Sequence, residues 1–339
     1  MHWEIIEEDG VLFEINDEGT LKRIEINKHH KYQSTVVIPH KLKTGKAIDT
    51  IESGFYIDGC TDNLYISDGI SKICSSAFQN SVVQSVRWPS TCSKIPGFCF
   101  MNSDIRGISN IDHVESIGAY AFANTNMAHI KWPTKCEAIP ENCFDGSTLR
   151  SISNIENVSS IESCAFSSCC IRKFNWPAKC QIIPSNCFNT SSLEEIHNIS
   201  RVKEVGDGAF YGTDITSFIW PSDCDKIPRA CFCESSLCSI LNICSVKEIG
   251  DAAFRHTKNL ERFEWPSDCK HIPSFCFSGS SLREITNISG VTEVGVCAFS
   301  KCSFESFIIP PMISIIPEGF MEENGKLKTV NLMTQMYVK

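Results

Sequence analysis

Cysteine is the residue with the most chemical potential in this 339-residue chain, and 20 are present. Half of them obey one rule. Cys92, Cys136, Cys180, Cys224 and Cys269 are each followed seven residues later by Cys99, Cys143, Cys187, Cys231 and Cys276. Each pair follows a Trp-Pro (Trp88, Trp132, Trp176, Trp220, Trp265) and straddles an Ile-Pro (Ile95, Ile139, Ile183, Ile227, Ile272). Thiolates could bind zinc, close disulfides or act as nucleophiles. A structural zinc site wants two thiolate pairs, each about two to four residues apart. Cys231-x-Cys233 and Cys169-Cys170 come nearest, and neither has a second pair at suitable spacing. Other chemistry is thinner still. There is no nucleophile elbow, no phosphate-cradling glycine loop and no H-E-x-x-H. His271 lies near Cys269, but the sibling repeats carry no histidine there; His197 beside Glu195 is too little for an acid–base mechanism. The reading is therefore non-enzymatic, with no catalytic residue, metal or cofactor.

What positions these residues is a repeat. The Trp-Pro series recurs at spacings of 44, 44, 44 and 45. An Ala-Phe series ending at Phe78, Phe122, Phe166, Phe210, Phe254 and Phe299 interleaves with it, so the true period is 22 residues in two alternating flavours. A period of that length marks a solenoid in which each unit buries its apolar face only against its neighbours. Counting from the first apolar residue as zero, the unit at Ile215 places Phe218 at +3, Trp220 at +5, Cys224 at +9, Ile227 at +12, Pro228 at +13, Cys231 at +16 and Phe232 at +17. The unit at Leu282 puts Ile285, Asn287, Val291, Val294, Gly295, Ala298 and Phe299 on the same offsets.

Twelve full units span 61–326, preceded by a degenerate unit from about Gln33 to Cys60 and followed by a truncated one ending at Leu332. Residues 1–32 do not fit the repeat. They alternate around Asp9-Gly10 and Glu18-Gly19, which predicts a β-hairpin N-terminal cap; 333–339 form a tail. Side chains alternate along a strand, so +3 and +5 share the core face. The stretch from +12 to +17 is predicted as a helical turn, with Pro at +13 in the first helical position. The predicted fold class is thus an α/β repeat, one leucine-rich-repeat solenoid of ~22-residue units.

The template L-x-x-L-x-L-P-x-x-L-x-x-I-G-x-x-A-F resembles the BspA-like (Treponema-type) leucine-rich repeat over roughly residues 33–332. This chain departs from it with Trp or Asn at +5, and with Cys at +9 and +16 in every second unit. The resemblance implies a curved solenoid with a binding role. Members of the family are often surface proteins that engage host or matrix proteins.

The cysteines at +9 and +16 alternate with Val and Ala in the flanking units. Equivalent positions two coils apart should lie ~9.6 Å from each other, beyond the ~7 Å Cα reach of a disulfide. These ten therefore read as small core hydrophobes. The irregular cysteines (60, 74, 164, 169, 170, 233, 238, 244, 297 and 302) leave room for a stray disulfide or a reactive thiol. The tryptophans invite comparison with an aromatic ladder for sugars or peptides. Their parity instead predicts core, with indole N–H groups reaching the asparagines at +5 of neighbouring units. By the same parity, the sequons at Asn198 and Asn287 are predicted inward, whereas Asn157 and Asn189 lie outside the strands.

Positions +2 and +4 should form the exposed, concave strand face. Its early rungs are basic (Arg87, His129, Lys131, Lys173); His197 follows, then two apolar neighbours, Ile219 and Leu241. These seven are the candidate partner-binding residues, and a protein is the expected partner. A net charge of −9 argues against general nucleic-acid binding. The longest apolar stretch, "SFIIPPMISII", is too short for a transmembrane segment and is broken by prolines. The start "MHWEIIEEDG" lacks the pattern of a signal peptide, and so many thiols in core slots suit a reducing compartment. The expectation is a cytoplasmic interaction module. The alternatives are a surface or secreted adhesin exported by an unconventional route, and a structural component of a larger assembly.

Overall fold

The computed structural model describes residues 2–26, 34–58 and 62–332. Cys60 and the predicted 333–339 tail lie outside these. The chain divides into two compact units, Met1–Ile171 and Arg172–Lys339.

In both units the repeat builds a β-solenoid. Three-residue strands at +2 to +4 pair in parallel with their equivalents 22 residues on, as in Ser85–Arg87 with Gly107–Ser109 and Ser217–Ile219 with Ser239–Leu241. A second column of two-residue strands at +11 and +12 pairs likewise, Lys94–Ile95 with Ser116–Ile117 in the first unit and Lys226–Ile227 with Glu248–Ile249 in the second. In the first unit β1 (Trp3–Glu8), β2 (Val11–Asn16) and β3 (Thr20–Ile26) form an antiparallel sheet, and β3 joins Thr50–Asp58 in parallel. Asp9, Gly10 and Gly19 adopt the positive φ that such tight connections need.

The helical turn expected from +12 to +17 does not form, and the α/β description is corrected accordingly. The one helical segment among the described residues is a short 3₁₀ turn, Ile199–Arg201. Residues at +15 and +19 explain the difference. They sit in the left-handed region in coil after coil (Phe98 and Asn102, Ala230 and Glu234, Phe275 and Gly279), so no helix can propagate through them. Their backbone amides turn toward the next coil instead of back along the chain. The amides of Phe98 and Asn102 donate to the carbonyls of Ala119 and Ala123 and that of Ala230 to Asp251, and between them the +17 amides do the same, Phe100 to Ala121 and Phe232 to Ala253, at 2.8–3.0 Å. A helix would use those groups internally; here they link neighbouring turns.

Each linkage sits beside a core column. Phe100, Phe122 and Phe144 stack in the first unit, and Phe210, Phe232 and Phe254 in the second, with near-parallel rings and centroids 5.4–6.0 Å apart. The residue at +16, beside this stack, is Ala or Cys in every coil from 61 to 303. Cys99, Cys143, Cys187, Cys231 and Cys276 are all fully buried, and burial holds the Cys99, Cys143, Cys231 and Cys276 thiols well above the ordinary range. The +9 thiols point at their own chain: Cys92 donates to the Lys94 carbonyl at 3.4 Å, and Cys224 to Lys226 at 3.5 Å. Cys92, Cys99, Cys136, Cys143, Cys224, Cys231, Cys269 and Cys276 form no disulfide. The ten in the pattern pack as small hydrophobes.

The tryptophans are core residues too, but their indole partner differs from the expected asparagine. Trp88, Trp132, Trp176, Trp220 and Trp265 each donate Nε1–H to the carbonyl of the cysteine four residues on, at 2.8–3.0 Å. Asparagine at +5 leaves the core. Asn110, Asn154, Asn198, Asn242 and Asn287 all take φ of 60–64°, which ends the strand and swings the side chain out. Asn198 and Asn287 are consequently exposed, and the inward placement expected of those sequons is corrected. Asn157 is exposed and Asn189 half-buried.

Candidate functional site

Alternation along each three-residue strand sends +3 inward and +2 and +4 outward, and all seven candidate residues sit on that outer face. In the first unit Arg87 packs over the Tyr65 ring at 4.5 Å and pairs with Asp68 at 3.5 Å. Lys131 pairs with Asp112 at 3.0 Å, and His129 meets the Ser151 hydroxyl at 2.8 Å. The rung between Arg87 and Lys131 holds Gly107 and Ser109, so the two cations are not neighbours.

In the second unit Lys173 and His197 converge on Glu195, at 2.9 and 3.3 Å. The hydrogen bond from Lys173 is the main reason the Glu195 carboxyl lies below the usual carboxylate range. Arg87, Lys131 and Lys173 thus each meet an acid of a neighbouring coil. Ile219 and Leu241 behave differently. They are 63% and 54% exposed and lie directly opposite each other in adjacent strands.

Three features were missed by residue type alone. Val37 and Tyr65, 48% and 38% exposed, continue the row of Arg87 in register, as the +4 offset of Tyr65 could have signalled. Ile308, 51% exposed, repeats the apolar character of Ile219 further along. The third feature is a pairing rhythm. In the second unit the outer strands associate two by two: 173–175 with 195–197, 217–219 with 239–241, 262–264 with 284–286, and 306–309 with 329–332.

The rhythm follows from the two flavours. The Trp220 amide donates to the Leu241 carbonyl at 2.9 Å, and Asn242 Nδ2 donates back to the Trp220 carbonyl at 2.8 Å. Asn287 treats Trp265 in the same way, also at 2.8 Å. In the second unit the outer strand of each asparagine coil is thus clasped to the tryptophan coil before it and is not paired with the outer strand of the coil after it.

A groove opens at each of these three seams, of about 530, 460 and 430 Å³ in chain order. Their lining includes Ile196, Ile240 and Ile285, the +3 residues of the asparagine coils, which are only half-buried; the equivalent Phe218 and Phe263 of tryptophan coils are fully covered. Among the described residues no cluster of His, Cys, Asp and Glu is arranged to hold a metal ion, and no helix is long and apolar enough to cross a membrane.

Known proteins give the architecture a context. The sequence pattern of the BspA type leucine rich repeat region matches residues 49–169, 115–239 and 247–338. A leucine-rich repeat protein from Bacteroides ovatus superposes with a TM-score of 0.76 at 19% identity, covering 96% of this chain and 88% of that one. A leucine rich cell surface protein from Faecalibacterium prausnitzii gives 0.62 at 20% identity, with 98% and 96% covered. The pneumococcal vaccine antigen PcpA gives 0.56 at 13% identity, with 98% and 89% covered. No curated protein matches the chain in sequence. Identities this low speak to fold. The repeat match covers most of the chain, which belongs to the BspA type leucine-rich-repeat family.

Proposed function

We propose that this chain is a non-enzymatic protein-interaction module that binds its partner through the outer face of the short strands, with Ile219 and Leu241 at the centre of the contact. One observation carries the reading: two aliphatic side chains stand side by side in register, each more than half exposed, two coils on from the Lys173–Glu195 ion pair of the same face. Desolvating such a pair is favourable, at roughly 25 cal/mol per Å² of apolar surface covered. Lys173 and His197 of the same unit supply polar contacts, and Arg87, His129 and Lys131 are the candidate contacts on the corresponding face of the first unit. Membership of a repeat family supports a binding role, because stacked coils offer a long, regular surface. The test is partner recovery from the native cells with wild-type protein and with Ile219→Asp/Leu241→Asp. Loss of the recovered partner is expected; undiminished recovery overturns the assignment.

The compartment has two supported readings. Ten thiols in core slots favour a reducing, cytoplasmic setting. A surface or secreted adhesin-like role draws support from the similarity to a cell surface protein and a vaccine antigen. Intact mass after denaturing alkylation without reductant separates them. Alkylation of every cysteine and no sugar mass supports the first; missing alkylation or glycan, above all at exposed Asn157, supports the second.

A further inference from the structure

Position +11 of the coils carries four cationic or imidazole side chains, Lys72, Lys94, Lys226 and His271. Lys226 and His271 each meet a glutamate at the same offset of the next coil, Glu248 at 2.8 Å and Glu293 at 3.5 Å. The first-unit pair is built differently. Lys72 is followed at this offset by a second lysine, Lys94, and Lys94 by Ser116. Both lysines are exposed, and among the described residues neither has a carboxylate within ion-pair reach. Like charges side by side are destabilising, and no acid occurs between Asp68 and Asp104 to relieve them.

The two lysines border a groove. Lys94–Ile95 pairs with Ser116–Ile117 and Lys72–Ile73 with Thr50–Asp58, but the two lysine strands do not pair with each other. The seam between them opens to about 650 Å³, lined by both lysines and by the hydroxyl-bearing Ser71, Ser93 and Ser116, with no carboxylate in the lining. Acids bracket it instead. The Ser71 and Lys72 amides donate to the Asp49 carbonyl at 2.9 and 3.1 Å, and the Glu115 amide donates to the Ser93 carbonyl at 2.8 Å. One exposed acid therefore stands a coil before the groove and one a coil after it.

This charge pattern selects a ligand. A carboxylate brings one negative charge and leaves one lysine uncompensated. A linear polyanion running along the stack meets Asp49 or Glu115 and is repelled. A terminal phosphate ester carries about −1.5 to −2 at pH 7 and three acceptor oxygens, which matches two ammoniums and the serine hydroxyls within one groove. Coils ~4.8 Å apart let both ammoniums reach the same phosphate at ~2.8 Å.

We propose that the Lys72–Lys94 seam of the first unit is a binding site for a single phosphate group. The site does not rest on the Ile219–Leu241 contact.

The test is fluorescence anisotropy on the full chain with a labelled phosphoserine peptide of otherwise uncharged sequence and with its unphosphorylated form. The phosphopeptide is expected to bind at least roughly tenfold tighter. Lys72→Gln and Lys94→Gln should each weaken it, and the double variant should abolish binding. Lys226→Gln, whose lysine is already paired with Glu248, and Ile219→Asp/Leu241→Asp should leave it unchanged. Lys72 and Lys94 are exposed, so circular dichroism of their variants should match wild type. Inorganic phosphate and unlabelled phosphopeptide as competitors separate two sources. Equal potency means that the free ion suffices, and a much weaker ion places the phosphate on a serine of a partner; both results keep the site. Equal affinity for the two peptides, equally tight binding of a labelled oligoglutamate, undiminished binding to the double variant, or no binding up to about 1 mM overturns the inference.

Discussion

Trp220 and Asn242, 22 residues apart at the same offset of consecutive coils, hold each other's backbones: the Trp220 amide reaches the Leu241 carbonyl at 2.9 Å, and Asn242 Nδ2 reaches the Trp220 carbonyl at 2.8 Å. Asn242 does this at φ 62°, a conformation that costs an alanine ~1 kcal/mol but a glycine almost nothing. Asn242→Ala should therefore lose both the hydrogen bond and the backbone preference, about 2 kcal/mol, and Asn242→Gly only the bond, about 1 kcal/mol. Trp220→Phe strips the buried donor from the Cys224 carbonyl and leaves space in a filled column, for about 2–4 kcal/mol. Denaturant melts of the three variants check the ranking. Equal losses for the alanine and glycine variants would remove the left-handed conformation from the explanation.

A second prediction concerns the left-handed residues of the turns. Ala230 is held at φ 52° at the +15 position, where the equivalent residues of neighbouring coils include Gly208 at φ 61°. Substituting glycine for alanine normally destabilises. Here relief of the left-handed strain, ~1–2 kcal/mol, exceeds the extra unfolded-state entropy, ~0.5–1 kcal/mol. Ala230→Gly should raise the melting midpoint, and Ala209→Gly in the +16 core slot should lower it. A lower midpoint for Ala230→Gly would show that its methyl contacts outweigh the strain.

The repeat, its period and its core columns are legible in the sequence because each depends on apolar residues recurring at fixed offsets: the Phe stack, the buried Trp at +5 and the Cys/Ala alternation at +16 all lie where their spacing puts them. The errors share one cause. Offset parity assumes that the strand continues to +5, which holds for Trp220 but not for Asn242, whose left-handed backbone turns it outward. The same conformation at +15 and +19 replaces the expected helical turn. Asn80, Asn102, Asn124, Gly146 and Gly212 at +19 were the available signal, since these residue types tolerate positive φ. Much less of the surface could be read. Arg87, Lys131 and Lys173 are visible as a basic series, but Asp68, Asp112 and Glu195, which neutralise them, sit in other coils and meet them only once the solenoid is wound.

The buried thiols make stability depend on alkaline pH. Burial raises the Cys99, Cys143, Cys231 and Cys276 thiols well above normal, and Cys169 and Cys302 to about 12. In the unfolded chain the same groups ionise near ~8.5. Their folded values are raised, so the stability they support is complete below ~8.5 and is lost as pH rises, when the unfolded state releases protons that the folded state keeps. Each fully buried thiol removes ~1.4 kcal/mol per pH unit in that window. Denaturant midpoints should be flat from about pH 7 to 8 and fall steeply by about pH 10. Cys143→Ala, which copies the Ala121 and Ala165 of the adjacent coils, should make the fall shallower. An unchanged slope would mean that other groups drive it.

Burial also sorts the thiols by reactivity, since alkylation needs a thiolate that the reagent can reach. Among the described residues Cys170, Cys238 and Cys244 are exposed, whereas Cys99, Cys143, Cys187, Cys231 and Cys276 have no accessible surface. Iodoacetamide on the reduced, native protein should label Cys170, Cys238 and Cys244 first, as read by peptide mass, while the +16 column stays unlabelled until denaturant is added. Opening of a coil exposes its +9 and +16 cysteines together, because both lie between the same two neighbours. The pair Cys224 and Cys231 should therefore gain label at one rate as denaturant rises, and the terminal pair Cys269 and Cys276 at its own. Early, independent labelling of Cys231 in the native state would show that the Phe210–Phe232 stack does not seal the column.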